Sequence, residues 1–178
     1  MLGRVVKAIR TRLAVRRAMA SAREDNARAL AKPVRRVLVM CYGNIYRSPF
    51  VAEALRQALP GHLEVRSAGF HAKTGRPSPE AHVRMSHTLG VDLSAHRSSL
   101  VSAADLAWAD LVVFMDRHNW ARLRDLRAPA DKLLWLGGLM PGDVEIPDPY
   151  GLSPEEARVV VDRLAACTAA LAGSLRKA

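Results

Sequence analysis

Two hydropathy patterns alternate along this chain once residue 33 is passed. Residues 37–40 (Val37, Leu38, Val39 and Met40), 111–115 and 133–136 are short, continuously apolar runs, the pattern of strands buried on both faces. Residues 63–67 form a fourth candidate strand. Between them, residues 48–59 and 117–126 read as helices, the first with Pro49 in the opening turn, where a missing N–H costs nothing. Ser78 and Pro79 open another helix that Gly90 closes, and Ser102 with Asp105 three residues on marks a short helix start. Residues 137–151 are rich in Gly and Pro and read as a loop. Ser153, Pro154, Glu155 and Glu156 then start a final helix expected to reach about Leu171.

Strands alternating with helices predict a single α/β domain: a central four-stranded parallel sheet with helices on both faces, three-layered and doubly wound. Ligands of such sheets sit beyond the carboxyl ends of the strands, where Cys41 lies. The expected division is a helical extension over residues 1–33 and a domain over residues 34–178, with Pro33 ending the helical segment.

Charge changes the picture only at the start of the chain. The formal net charge is +10, but residues 1–36 hold 11 Lys/Arg against two acidic residues, leaving the rest close to neutral. Leu2, Val6, Ile9 and Leu13 recur at helical steps among Arg4, Lys7, Arg10, Arg12, Arg16 and Arg17. This predicts a basic amphipathic helix, either docking on an anionic membrane surface or acidic partner, or laying its apolar stripe on its own domain. Nucleic acid is the less favoured partner, since the body carries little net charge. No apolar run approaches the roughly 20 residues of a membrane-spanning helix. Two cysteines, Cys41 and Cys167, make no disulfide framework, so a cytoplasmic protein is expected, peripheral to the membrane if the basic segment docks there.

The chemistry concentrates in Cys41-Tyr42-Gly43-Asn44-Ile45-Tyr46-Arg47-Ser48-Pro49. A loop between a strand and a helix N-terminus can aim successive backbone N–H groups inward as a nest for a phosphate dianion. Gly43 permits the tight backbone, and the planar fork of Arg47 matches two phosphate oxygens. The same positive field favours the thiolate form of Cys41, and Ser48 can donate to that sulfur. Displacing an alkoxide or phenoxide from phosphorus needs a proton donor, and Asp148 in Ile146-Pro147-Asp148-Pro149-Tyr150-Gly151 is the candidate. No metal or cofactor is expected, since the histidines lack paired ligand spacing.

The stretch from Cys41 to Pro49, followed in order by Ser67-Ala68-Gly69, Asp92, His96-Arg97, Met115-Asp116 with Asn119, and Asp148-Pro149-Tyr150, resembles the low-molecular-weight protein tyrosine phosphatases. The resemblance covers roughly residues 34–172. It implies a protein phosphotyrosine substrate, attack by Cys41 to form a phosphocysteine, and Asp148 acting as acid and then as base. It also implies Arg47 and the loop amides as phosphate ligands, Asn44 as loop-shaping residue held by Ser67 and His96, and Tyr42 and Tyr150 as walls of the entrance. Gly43, Ile45, Tyr46 and Ser48 complete the expected binding set. Many relatives carry a second cysteine where this chain has Tyr46, and Cys167 is expected in the core, so peroxide inactivation should not be reversed by thiols.

Three alternatives remain open at this point. Related protein-arginine phosphatases share the loop but favour Thr where Ile45 stands, and related arsenate reductases add redox cysteines that this chain lacks. The third is a phosphate-binding module without turnover, joined to a basic docking arm.

Overall fold

The computed structural model describes the backbone of residues 2–177 and the side chains of residues 9–177. Four parallel strands, β1 (Arg36–Cys41), β2 (Glu64–Gly69), β3 (Leu111–Phe114) and β4 (Leu133–Trp135), form one sheet in the order β2-β1-β3-β4. The chain starts near the middle of the sheet, runs outward to β2, then returns past β1 to β3 and β4. That reversal beside β1 opens a crevice at its carboxyl end.

Alternation along each strand divides the core in two. Val37, Val39 and Cys41 of β1, with Leu111 and Val113 of β3, face one side. There they meet Phe50, Val51 and Leu55 of α3 (Arg47–Ala58) and Val161, Leu164, Cys167 and Leu171 of the last helix. Leu38, Met40, Val112 and Phe114 face the other side, against Leu106 and Leu123. The expected fold class is therefore the observed one, and both faces of the sheet are covered.

Element ends differ modestly from expectation. A helix at Glu80–His87 (α4) is shorter than the 78–90 stretch, because Pro79 and its extended backbone precede it and a turn leads on to Gly90. Ser102 caps α5 (Ala103–Trp108) with a reciprocal capping box to Asp105. Asp116 caps α6 (Arg117–Asp125) by accepting from Asn119 N. The last helix, α7 (Pro154–Lys177), continues well past Leu171, since its apolar stripe extends to Ala172 and Leu175.

The extension forms two helices, α1 (Leu2–Ala20) and α2 (Ala22–Leu30), separated by Ser21. The face of α1 that meets the domain carries Ala18 and Met19, which pack on the second core cluster. Ile9 and Leu13 point elsewhere and are 51% and 50% exposed, so this part of the expected apolar stripe does not pack on its own domain. Leu2 and Val6 lie outside the described side chains. By contrast α2 is built into the body: Asn26 is buried, donates through Nδ2 to Trp135 O (2.8 Å) and accepts at Oδ1 from Trp135 N (2.9 Å). Its amide thereby completes the edge of β4 as another strand would. No helix among the described residues is long and apolar enough to cross a membrane.

Candidate active site

Beyond the end of β1 the chain turns through residues 42–46 and enters α3 at Arg47, so the thiol of Cys41 sits at a helix N-terminus. Its Sγ lies 3.0 Å from Ser48 Oγ and accepts from Asn44 N at 3.3 Å. A wall of backbone supports the loop from behind. Phe70 N and His71 N, just past β2, donate to Tyr42 O at 2.8 and 3.1 Å. Gly69 must be a glycine there, because a Cβ would stand 2.7 Å from Tyr42 O.

Asn44 shapes the loop by using every polar atom it has. Its backbone is left-handed (φ 52°), a conformation asparagine tolerates better than most side chains. Nδ2 donates to Ser48 Oγ (2.9 Å) and Ser67 Oγ (3.0 Å), and Oδ1 accepts from Ser99 N (2.8 Å). The carbonyl oxygen of Asn44 accepts from His96 Nε2 at 2.7 Å. Burial is the main influence on His96 and pulls its pKa down, while this bond pulls the other way. Ser67 and His96, expected as its supports, both bond Asn44. Ser99, not anticipated, is the third support.

Arg47 is 1% exposed and held by two carboxylates: Nη1 donates to Asp116 Oδ2 and Nη2 to Asp148 Oδ2, each at 2.6 Å. Nη1 also donates to Ile146 O at 2.9 Å. Burial opposes the guanidinium charge, but Cys41, Asp148 and Asp116 together outweigh it and raise the pKa. Nε is buried with no partner among the described residues. Asp116 was read from the sequence only as part of a family motif; in the fold it both caps α6 and anchors Arg47.

Asp148 reaches the site on a loop pinned two residues upstream. Ile146 is fully buried and its N–H donates to Met115 O (2.9 Å), while Glu145 pairs with Arg117. Asp148 Oδ1 accepts from Tyr150 N at 3.2 Å, which turns the chain so that Tyr150 stands out, 77% exposed.

These residues enclose a pocket of about 430 Å³ lined by Cys41, Tyr42, Gly43, Ile45, Tyr46, Asp148 and Tyr150, together with His71 and Arg76. Arg47, Asn44 and Ser48 are buried and do not themselves line it. Tyr46 and Tyr150 meet edge to face, with centroids 6.4 Å apart. Burial, reinforced by Asp148, raises the Tyr46 pKa. Behind Tyr46, the buried His82 donates through Nε2 to Tyr46 O at 2.9 Å, and burial lowers its pKa to about 4. Neither His82 nor Arg76 was singled out in the sequence. Cys167 lies in the core among the apolar residues of α7, where burial raises its pKa.

A thiol at the carboxyl end of a parallel strand, cradled by a loop that closes on an arginine at a helix N-terminus, defines the class as a cysteine-based phosphate-loop protein of α/β fold. The comparisons agree. The family model described as low molecular weight phosphotyrosine protein phosphatase matches residues 36–178, and this chain belongs to that family. A probable low molecular weight protein-tyrosine-phosphatase, EpsP, of Ralstonia solanacearum is 33% identical over 137 residues, covering 73% of this chain and 90% of the relative. Among solved structures, the tyrosine phosphatase Wzb of Escherichia coli K30 in complex with sulphate superposes with a TM-score of 0.73 at 29% identity, covering 80% of this chain and 99% of that one. The YwlE arginine phosphatase of Geobacillus stearothermophilus gives 0.72 at 31% identity, covering 80% and 94%.

Proposed function

We propose that this protein hydrolyses phosphotyrosine in protein substrates through a phosphocysteine. The observation that carries the reading is one pocket lined by both Cys41 and Asp148, with the buried Arg47 guanidinium bonded to Asp148. The Cys41 thiolate attacks phosphorus, forming the S–P bond as the P–O bond to the tyrosyl oxygen breaks. Asp148 delivers its proton to that oxygen. It then takes a proton from water, whose oxygen bonds to phosphorus as the S–P bond breaks and the thiolate returns to its contact with Ser48. Loop amides and Arg47 hold the equatorial oxygens throughout. The buried Arg47 Nε is a donor that a phosphate oxygen would satisfy.

Selection of an aryl ester draws support from the pocket walls. Tyr42, Tyr46 and Tyr150 offer aromatic surface, and Ile45 presents no hydroxyl. The test compares peptides bearing phosphotyrosine, phosphoarginine and phosphoserine with wild type and Cys41→Ser. Preference for phosphotyrosine, abolished in the variant, is expected; faster hydrolysis of phosphoarginine would overturn the substrate assignment.

A second element of the reading concerns residues 1–33. The exposure of Ile9 and Leu13 beside the exposed Arg10, Arg12 and Arg16 supports docking of α1 on an anionic membrane surface, with the phosphatase body following from residue 34. Sedimentation with phosphatidylserine vesicles, weakened in Ile9→Ser/Leu13→Ser, is the expected outcome. Equal sedimentation with neutral vesicles, or none, would count against it.

A further inference from the structure

Two arginines serve this pocket, and they differ in electrostatic state. Arg47, buried and outside its lining, is compensated by Asp116 and Asp148. Arg76 lines the pocket itself and pairs with no carboxylate among the described residues. Its guanidinium donates only to carbonyl oxygens: Nη2 to Gly43 O at 2.6 Å and Nε to Lys73 O at 3.0 Å. Carbonyls contribute dipoles without cancelling the charge, so a full positive charge stands at the pocket wall.

That charge is also held still. Arg76 N donates to Ser98 Oγ (3.0 Å), Arg76 O accepts from Ser98 N (2.9 Å), and Gly75 N donates to Ser98 O (2.7 Å). The same segment begins at His71, whose ring meets Tyr42 edge on at 5.8 Å and whose N–H is bound to Tyr42 O. Lys73, whose carbonyl accepts from Arg76 Nε, is itself exposed and without an ion pair among the described residues. Tyr46 and Tyr150 line the pocket too, so its lining includes both a cation and aromatic surface. Arg76 Nη1 makes no bond among the described residues and remains available to a ligand.

We propose that Arg76 is a specificity-determining residue that receives an anionic group next to the phosphotyrosine in the substrate chain, the carboxylate of Asp or Glu or a second phosphate. This rests on the phosphotyrosine reading above. A guanidinium already oriented by two bonds loses little rotamer freedom on accepting such a group, and its fork suits carboxylate and phosphate alike.

The test measures kcat/KM of the full chain on three phosphotyrosine peptides that differ only in the residues on either side of the phosphotyrosine: Gln, Glu or phosphoserine. Wild type is expected to favour the two anionic peptides over the Gln peptide by about tenfold, equivalent to ~1.4 kcal/mol. The ratio should fall to near one in Arg76→Met, recover in part in Arg76→Lys, and shrink with added salt. Because each ratio is taken within one enzyme, any loss through a misplaced Gly43 cancels, and a purely structural role would leave it unchanged. The Glu and phosphoserine arms distinguish the two sources of charge. Hydrolysis of the Gln peptide with a flat ratio in wild type, or an equal preference in Arg76→Met, would overturn the role of Arg76 while leaving the phosphatase intact. Failure to hydrolyse any of the peptides would overturn the phosphatase reading and this one with it.

Discussion

Two buried asparagines hold this molecule together at opposite parts of the sheet, and they do so for different ends. Asn44 ties the loop after β1 to Ser48, Ser67, Ser99 and His96, and its left-handed backbone turns its own N–H toward the Cys41 sulfur. Asn26 ties α2 to both backbone groups of Trp135 at the free edge of β4. Asn44 divides its side-chain amide between two hydroxyls and one backbone N–H, and Asn26 gives the whole of its amide to backbone. The first shapes the loop around the Cys41 thiol; the second closes a sheet edge far from it in the strand order. Burial and satisfied hydrogen bonds therefore do not by themselves separate functional from structural polar residues. The chemistry they aim at does.

The largest effect is expected at the thiol. Cys41→Ser should retain the fold and lose activity by on the order of 10⁵-fold or more, measured as kcat with thermal unfolding as the control. Next comes Asp148→Ala, expected to slow phosphotyrosine hydrolysis by about 10²- to 10³-fold but p-nitrophenyl phosphate far less, since p-nitrophenolate leaves with little protonation. Equal losses on the two esters would remove Asp148 from the role of acid.

The two asparagines should then part company. Asn26→Ala leaves the backbone of Trp135 unpaired and should cost about 2–4 kcal/mol of stability, read by urea unfolding, with kcat of the folded protein little changed. Asn44→Ala should reverse that weighting, lowering kcat by about tenfold to a hundredfold, because the loop amides lose their alignment. A large kcat loss in Asn26→Ala would show that the α2 clasp and the site are coupled.

The smallest effect concerns His82. Its pKa is lowered to about 4 in the fold from the ordinary 6.5, so the native state favours the neutral ring. The corresponding stability is fully present above pH 6.5 and is lost as pH falls toward 4. Urea midpoints measured across that window should decline less steeply in His82→Gln than in wild type.

What could be read from the sequence follows the same division. Strands buried on both faces announce themselves as apolar runs, and β1, β3 and β4 fall within a residue or so of the expected runs. The chemistry of Cys41, Asn44, Arg47 and Ser48 is compressed into one strand-loop-helix segment, so local spacing exposes it. Asp116, Ser99, His82 and Arg76 serve the same segment from 33 to 69 positions away. Only folding brings them in, and no local pattern marks a Ser or His as a loop support. Asn26 is more remote still, 109 positions from Trp135. In α1 helical spacing identified the helix but left open what its stripe meets: Ile9 and Leu13 are exposed, while Ala18 and Met19 pack on the core. Periodicity finds an amphipathic face without saying what covers it.

The most direct test of catalysis through Cys41 is to trap the intermediate. Asp148→Ala, which lacks the base for the second step, is mixed with p-nitrophenyl phosphate, quenched in acid within the first turnover and digested for mass spectrometry. One phosphoryl group is expected on the peptide containing Cys41, absent when Cys41 is replaced by Ser in the same background. A phosphoryl group on a different residue, or full turnover with an unmodified Cys41 peptide at every quench time, would contradict it.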